Sequence, residues 1–152
     1  MGMETDLLNR FAEHFTNLDI EKSAVAPRRI FLEAPEKLFM DMLKYASEEL
    51  GFKHLCTITG LDTGGWFEFI YHISNESGFV ISLKRKTSRD NPVIASVLPI
   101  YNGAVFYERE IADLLGVKVM GLPEGRRYPL PDNWPIGQFP LRKDWAPEDL
   151  EG

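Results

Sequence analysis

The hydrophobic positions change period three times along the chain, and those changes outline the elements. Leu7, Leu8, Phe11, Ala12 and Phe15 recur at helical spacing, so residues 5–16 read as an amphipathic helix with Thr5 as its cap. Residues 17–27 read as a connection ending at Pro27, and Arg28 to Glu33 as a strand. Over residues 35–50 the stripe Leu38, Phe39, Met42, Leu43, Ala46 and Leu50 predicts a second helix, with Pro35 at its first position and Gly51 after its end. The period then falls to two. His54 to Asp62 forms a strand, Asp62-Thr63-Gly64-Gly65 a turn, and residues 66–74 a second strand in which Phe67, Phe69, Tyr71 and Ile73 alternate with Trp66, Glu68, Ile70 and His72. After Asn75-Glu76-Ser77-Gly78, Phe79, Ile81 and Leu83 alternate through a third strand over 79–86, completing an antiparallel meander. Pro92 and Pro99 bracket a short helix over 93–98, and the stripe Ala104, Ile111, Leu114 and Leu115 predicts a third long helix over 104–115, closed by Gly116. The fold class is α+β: a two-layer arrangement of an antiparallel or mixed sheet with helices packed on it, followed by an extended Pro-rich C-terminal tail.

Two places break the pattern. On the 104–115 helix Glu108 falls in the middle of the apolar stripe, while Phe106, Arg109, Glu110 and Asp113 fall on the other side. A carboxylate centred on an apolar face and a Phe on a polar one tend to mark functional or interface positions. An unpaired buried carboxylate costs several kcal/mol, so Glu108 is expected to bond Arg or backbone donors, with Arg126, Arg127, Arg142 and Lys143 as possible partners. The ordinary reading of Arg109 and Asp113, four apart, is a surface ion pair contributing about 0.3–0.5 kcal/mol. Beyond Gly116 the prolines at 123, 129, 131, 135, 140 and 147 exclude regular helix or central strand. Yet the tail holds Tyr128, Trp134, Phe139 and Trp145, too aromatic for a free linker. The division is therefore an α+β domain over 1–116 and a tail over 117–152 belonging to the same structural unit.

Composition narrows the function. At 152 residues, 44% hydrophobic and 26% charged, the chain suits one globular domain. A net charge of -6 argues against a general nucleic-acid surface. The lone Cys56 excludes an internal disulfide and a self-contained Cys₄ metal or iron–sulfur site. No apolar run approaches the ~20 residues of a membrane span, and Met1-Gly2-Met3-Glu4 does not open a signal peptide. Gly60-Leu61-Asp62-Thr63-Gly64-Gly65 has neither phosphate-loop spacing nor a following helix. His54 and Cys56 share a strand face, but nothing supplies a third group to orient a nucleophilic pair. His72 reads as a packed or edge histidine, and Lys84, Arg85, Lys86 and Arg89 as a solvated strand end. No catalytic, cofactor-binding or metal-ligating set emerges. A stand-alone ligand-binding domain or enzyme, with a pocket lined by Trp66, Tyr71 and His72, rests only on the general rule that aromatic concavities bind small molecules.

Glu108-Arg109-Glu110, then Asp113, Gly116, the pair Arg126-Arg127, and Pro140-Leu141-Arg142-Lys143-Asp144 after the turn Trp134-Pro135-Ile136-Gly137 resemble the 30 kDa subunit of respiratory complex I, the NADH:quinone oxidoreductase. Membrane-bound energy-converting nickel–iron hydrogenases carry its counterpart. The chain departs from complex I members at Gly121-Leu122-Pro123-Glu124-Gly125, which lacks their His, and its Trp-Pro-Ile-Gly turn is closer to the hydrogenase branch. The resemblance implies a non-catalytic structural or assembly subunit without a cofactor of its own, supporting electron transfer from NADH to quinone. Its implied partners are the hydrogenase-like large subunit and other subunits of the hydrophilic arm, on the cytoplasmic side of the membrane and peripheral to it. The motif residues named above are the implied interface. Many complex I members run longer, so an end at Gly152 reads as a short form or a trimmed chain.

Overall fold

The computed structural model describes residues 2–150. Its elements run α1 (Met3–His14), β1 (Ala24–Ala26), β2 (Arg29–Glu33), α2 (Glu36–Glu48), β3 (His54–Asp62), β4 (Trp66–Ser74), β5 (Val80–Ser88), β6 (Val93–Ala95), α3 (Val105–Leu115) and β7 (Lys118–Met120), with short 3₁₀ turns at Ile20–Lys22, Asn102–Ala104 and Pro147–Leu150. The class is α+β, with a five-stranded sheet in the order β1-β2-β5-β4-β3. β1 pairs antiparallel with β2, and β2 lies parallel to β5 with Ile30 opposite Ile81, so the sheet is mixed. The links between neighbouring β3, β4 and β5 are far too short for a parallel crossover, which makes them the antiparallel meander the alternation predicts.

The chain forms two compact units, one built from residues up to Thr57 with Ile70–Arg85, the other from Ile58–Phe69 with Lys86 onward; β3 and β4 contribute residues to both. In the first unit the α1 and α2 stripes close an apolar core. Phe11 meets Tyr45 edge-on at 5.4 Å, and Phe39 packs on Tyr71 of β4 at 4.8 Å. Met42, Leu43, Ile73 and Ile81 lie in the same unit, fully buried. Arg85 is 4% exposed: its guanidinium lies 4.0 Å from the Phe39 ring centre, and Nη2 donates to the Tyr71 hydroxyl at 2.5 Å.

In the second unit β6 and β7 form a parallel pair, Val93 opposite Lys118 and Ile94 opposite Val119, with α3 as their crossover. Gly116 closes α3 with φ 76°, the left-handed conformation expected of it.

Several boundaries and two assignments differ from the pattern. α1 starts two residues early, which leaves Thr5 inside the helix, and α2 starts after Pro35. The 17–27 connection contains a 3₁₀ turn and edge strand β1, and Arg28 turns the chain with φ 60° before β2. The 93–98 segment is not helical. Ser96 N–H bonds Met120 O and Pro92 O accepts from Lys118 N–H, so a partner strand some 25 residues on makes Val93–Ala95 a strand. Nor is the basic run a solvated strand end. Arg85 is buried, Lys84 pairs with Glu33, Lys86 lies over the Trp66 ring at 4.6 Å, and Arg89 binds Asp62. Each finds a distant partner that local patterning cannot show.

Candidate docking face

The residues singled out on α3 and in the tail lie in the second unit, where three clusters anchor the tail. Glu108 is fully buried, as its place in the stripe implies, and its Oε1 accepts the Val97 N–H at 2.7 Å. The donor is backbone, immediately after β6, whereas Arg126, Arg127, Arg142 and Lys143 bond elsewhere. This bond fixes α3 against the segment that follows β6.

Asp113 does not pair with Arg109. Its Oδ1 accepts from Arg127 Nε at 3.0 Å and Nη2 at 2.8 Å, and its Oδ2 from Leu130 N–H at 3.0 Å. Arg127 Nη1 also donates to Trp134 O at 2.6 Å. One carboxylate on α3 and one guanidinium in the tail therefore hold the 127–134 loop, in which Tyr128-Pro129 is cis. Arg109 instead reaches Pro123 O at 3.4 Å, and its guanidinium occupies the space a side chain at Gly125 would need. Arg126 pairs with Asp132 at the surface, and Glu110 is half-buried.

The second cluster closes the C-terminus of α3. Leu141 N–H donates to Leu114 O at 3.1 Å and Arg142 Nε to Leu115 O at 2.7 Å, satisfying two of the carbonyls a helix end leaves without partners. The Arg142 guanidinium stands 4.6 Å from the Phe139 ring centre and 5.3 Å from that of Phe67. A side chain on Gly116 would collide with Phe139 and Arg142, so glycine there serves close approach as well as φ. Trp134 and Trp145 converge on Gln138, donating to its backbone and side-chain oxygens at 2.8 Å each.

The third cluster was not legible as a site. Asp62, 6% exposed at the end of β3, accepts Gly64 N–H on Oδ1 at 2.8 Å, and Lys143 N–H at 2.9 Å and Arg89 Nη2 at 2.8 Å on Oδ2. Arg89 also reaches Asp144 at 3.0 Å. Burial pushes the Asp62 carboxyl up, but the Lys143 and Gly64 N–H groups and the Arg89 guanidinium outweigh it and hold its pKa below the ordinary value. Asp62-Thr63-Gly64 announces an Asx turn in sequence. Nothing local announces the bond to Lys143, 81 positions on. In Lys143 the backbone makes this contact and the side chain is exposed.

Outside these clusters an apolar set faces out: Phe106 meets Tyr128 edge-on at 5.4 Å, both exposed, with Leu141 exposed and Ile136 98% exposed. Phe106, Arg109, Arg126, Arg127 and Tyr128 border an open groove of about 460 Å³. Trp66, Tyr71 and His72 do not share a face of β4: Tyr71 is fully buried and points opposite to the other two. Among the described residues no cluster of three or more His, Cys, Asp or Glu could hold a metal ion, and no helix is long and apolar enough to cross a membrane.

Comparison with known proteins settles the family. Residues 32–150 match the model of the respiratory-chain NADH dehydrogenase 30 kDa subunit. The chain belongs to that family. It is 34% identical to a subunit of the F420H2 dehydrogenase of Methanosarcina mazei, covering 91% of this chain and 87% of the relative. Identity to a subunit of the NADH-quinone oxidoreductase of Moorella thermoacetica is 30%, over 86% and 87%. A chain of the membrane-bound sulfane sulfur reductase, an archaeal respiratory membrane complex, superposes with a TM-score of 0.80 at 26% identity, over 93% of this chain and 85% of that one. The 30 kDa family is thus a set of subunits of multi-subunit, membrane-bound redox complexes.

Proposed function

We propose that this chain is the 30 kDa structural subunit of an NADH:quinone oxidoreductase-type complex, peripheral to the membrane on its cytoplasmic side, where it docks the hydrogenase-like large subunit and takes no part in the chemistry itself. The observation that carries this reading is the tail. It is pinned from within by Asp113, by the α3 carbonyls and by Asp62, yet it turns Tyr128, Ile136 and Leu141 outward with Phe106 beside them. Rigid backbone with apolar side chains facing out suits a docking face, since little order remains to be gained on binding. The relatives' names support a structural role from another side. Related subunits serve complexes named for F420H2 and for NADH as donor, and for sulfane sulfur reduction. A part that all of them share is not the part that selects the electron donor.

In the motif as folded, Arg127, Arg142 and Asp113 hold the tail, and the contact surface is the apolar set around them. Co-expression of the chain with the hydrogenase-like large subunit of the same organism tests this. The wild-type chain is expected to co-purify, and Ile136→Asp with Leu141→Asp to cut capture by about ten-fold or more, the loss of one good contact. Melting temperature should barely move, because Ile136 is almost wholly exposed. Equal capture of wild type and variant would remove this face from the interface.

A further inference from the structure

The family motif ends at Lys143-Asp144, but the group that holds that end in place lies outside the motif, at the end of β3. Asp62 is the acceptor on which the contacts meet. One oxygen closes its own turn through Gly64, and the other takes both the Lys143 N–H and the Arg89 guanidinium. Arg89 carries the connection on to Asp144, so one buried carboxylate and one arginine bracket the two residues that close the motif. Upstream, the helix-end bonds at Leu141 and Arg142 fix the tail's direction; downstream, among the described residues, only the turn at Pro147–Leu150 follows. Hydrogen bonds to an ionised group are the stronger class, and a buried acceptor stripped of its charge leaves its donors without equivalent partners.

We propose that Asp62 is the positioning residue of the tail: it gives residues 142–146 a single conformation and so preorganises the docking face without belonging to it. The second half of this statement rests on the docking function proposed above. Asparagine separates the roles cleanly. Its amide has one acceptor oxygen, so it can serve either Gly64 on one side or Lys143 and Arg89 on the other, and must turn an NH₂ group toward the donors it abandons. Order in the tail is lost while the core is untouched.

The experiment uses the full chain in three measurements: far-UV circular dichroism, trypsin cleavage after Arg142 and Lys143 followed by mass spectrometry, and capture by the large subunit. For Asp62→Asn the expected result is a native spectrum, cleavage at those two bonds faster by about ten-fold, because cleavage tracks the open population, and weakened capture. Arg89→Gln should show the same pattern more weakly, since Lys143 and Gly64 still reach Asp62. Unchanged cleavage in Asp62→Asn overturns the proposal. If Asp62→Asn does not fold, Arg89→Gln decides: faster cleavage supports the anchor, wild-type cleavage overturns it. Faster cleavage with undiminished capture overturns the preorganising half. Failure of the docking function itself looks different, because wild-type chain would then not be captured and Ile136→Asp would change nothing.

Discussion

The α2–sheet core and the C-terminal tail are ordered by opposite means. In the first, Phe39, Met42, Leu43, Tyr71, Ile73 and Ile81 exclude water from their own unit, and stability comes from apolar area removed from solvent. In the tail, apart from a short run at β7, there is almost no regular structure from Val117 to Trp145, and most of its residues are exposed. Its conformation is set by Asp113 on Arg127, Leu115 O on Arg142 and Asp62 on Lys143. Apolar burial tolerates many packings of similar volume, whereas a carboxylate that accepts two or three directed bonds tolerates one geometry. A surface meant to meet one partner in one register gains from the second kind of order.

The comparison breaks most visibly in the core. Phe39 is fully buried, packs on Tyr71 and stacks on the Arg85 guanidinium. Phe39→Ala is expected to cost about 3–5 kcal/mol, the range for large buried aromatics, because it opens a cavity and strips a buried cation of its ring. Urea unfolding monitored by circular dichroism should show this as a lower midpoint for the whole chain. A loss under about 1 kcal/mol would mean that Phe39 does not anchor the core.

Arg142→Ala sharpens the comparison from the other side. The resemblance implies an interface role for Arg142. The geometry also gives it a structural one, since Nε caps Leu115 O and the guanidinium stacks on Phe139 and Phe67. Truncation should cost about 1–2 kcal/mol, the scale of one charge-assisted bond with its cation–π contacts. Arg142→Lys should restore little, because a point-charge ammonium cannot bond the carbonyl and stack on both rings together. A melting temperature equal to wild type for Arg142→Ala would return the residue to the interface.

What could be read from the chain divides along the same line. Helices, meander and the burial of Glu108 follow from periodicity, which is local. The β6–β7 pairing and the Asp62 anchor do not, because their two halves lie 25 to 81 positions apart. That Glu108 needs an Arg or backbone donor is legible; which of them supplies it is not, for a related reason. A carboxylate in an apolar stripe announces that it needs a donor, and the nearest arginines in sequence look suitable. Only the fold shows that Val97 N–H arrives first. The motif arginines carry a second lesson: Arg127 and Arg142, which the resemblance implies lie at an interface, also bind α3 of their own chain.

The smallest expected effect separates the units by pH. His72 stands half-buried in the first unit, with Nδ1 2.8 Å from Ser82 Oγ. Burial, and secondarily the Arg29 charge, push its pKa below the ordinary 6.5. The folded state therefore prefers neutral imidazole, while the unfolded chain takes up its proton near 6.5. Between the two values the unfolded state binds more protons, so stability rises with pH through that window. The contribution is complete above 6.5 and is lost as pH falls through the lower, folded value. Asp62, also lowered, acts in the same direction but only around and below 3.8, so the two windows do not overlap above that pH. Urea midpoints measured from pH 5 to 8 should climb and then level off for wild type, and His72→Gln should flatten that climb while leaving tryptic cleavage after Lys143 untouched. A slope that persists in His72→Gln would assign the titration to another group, and cleavage that rose with it would show that the order of the tail depends on that histidine.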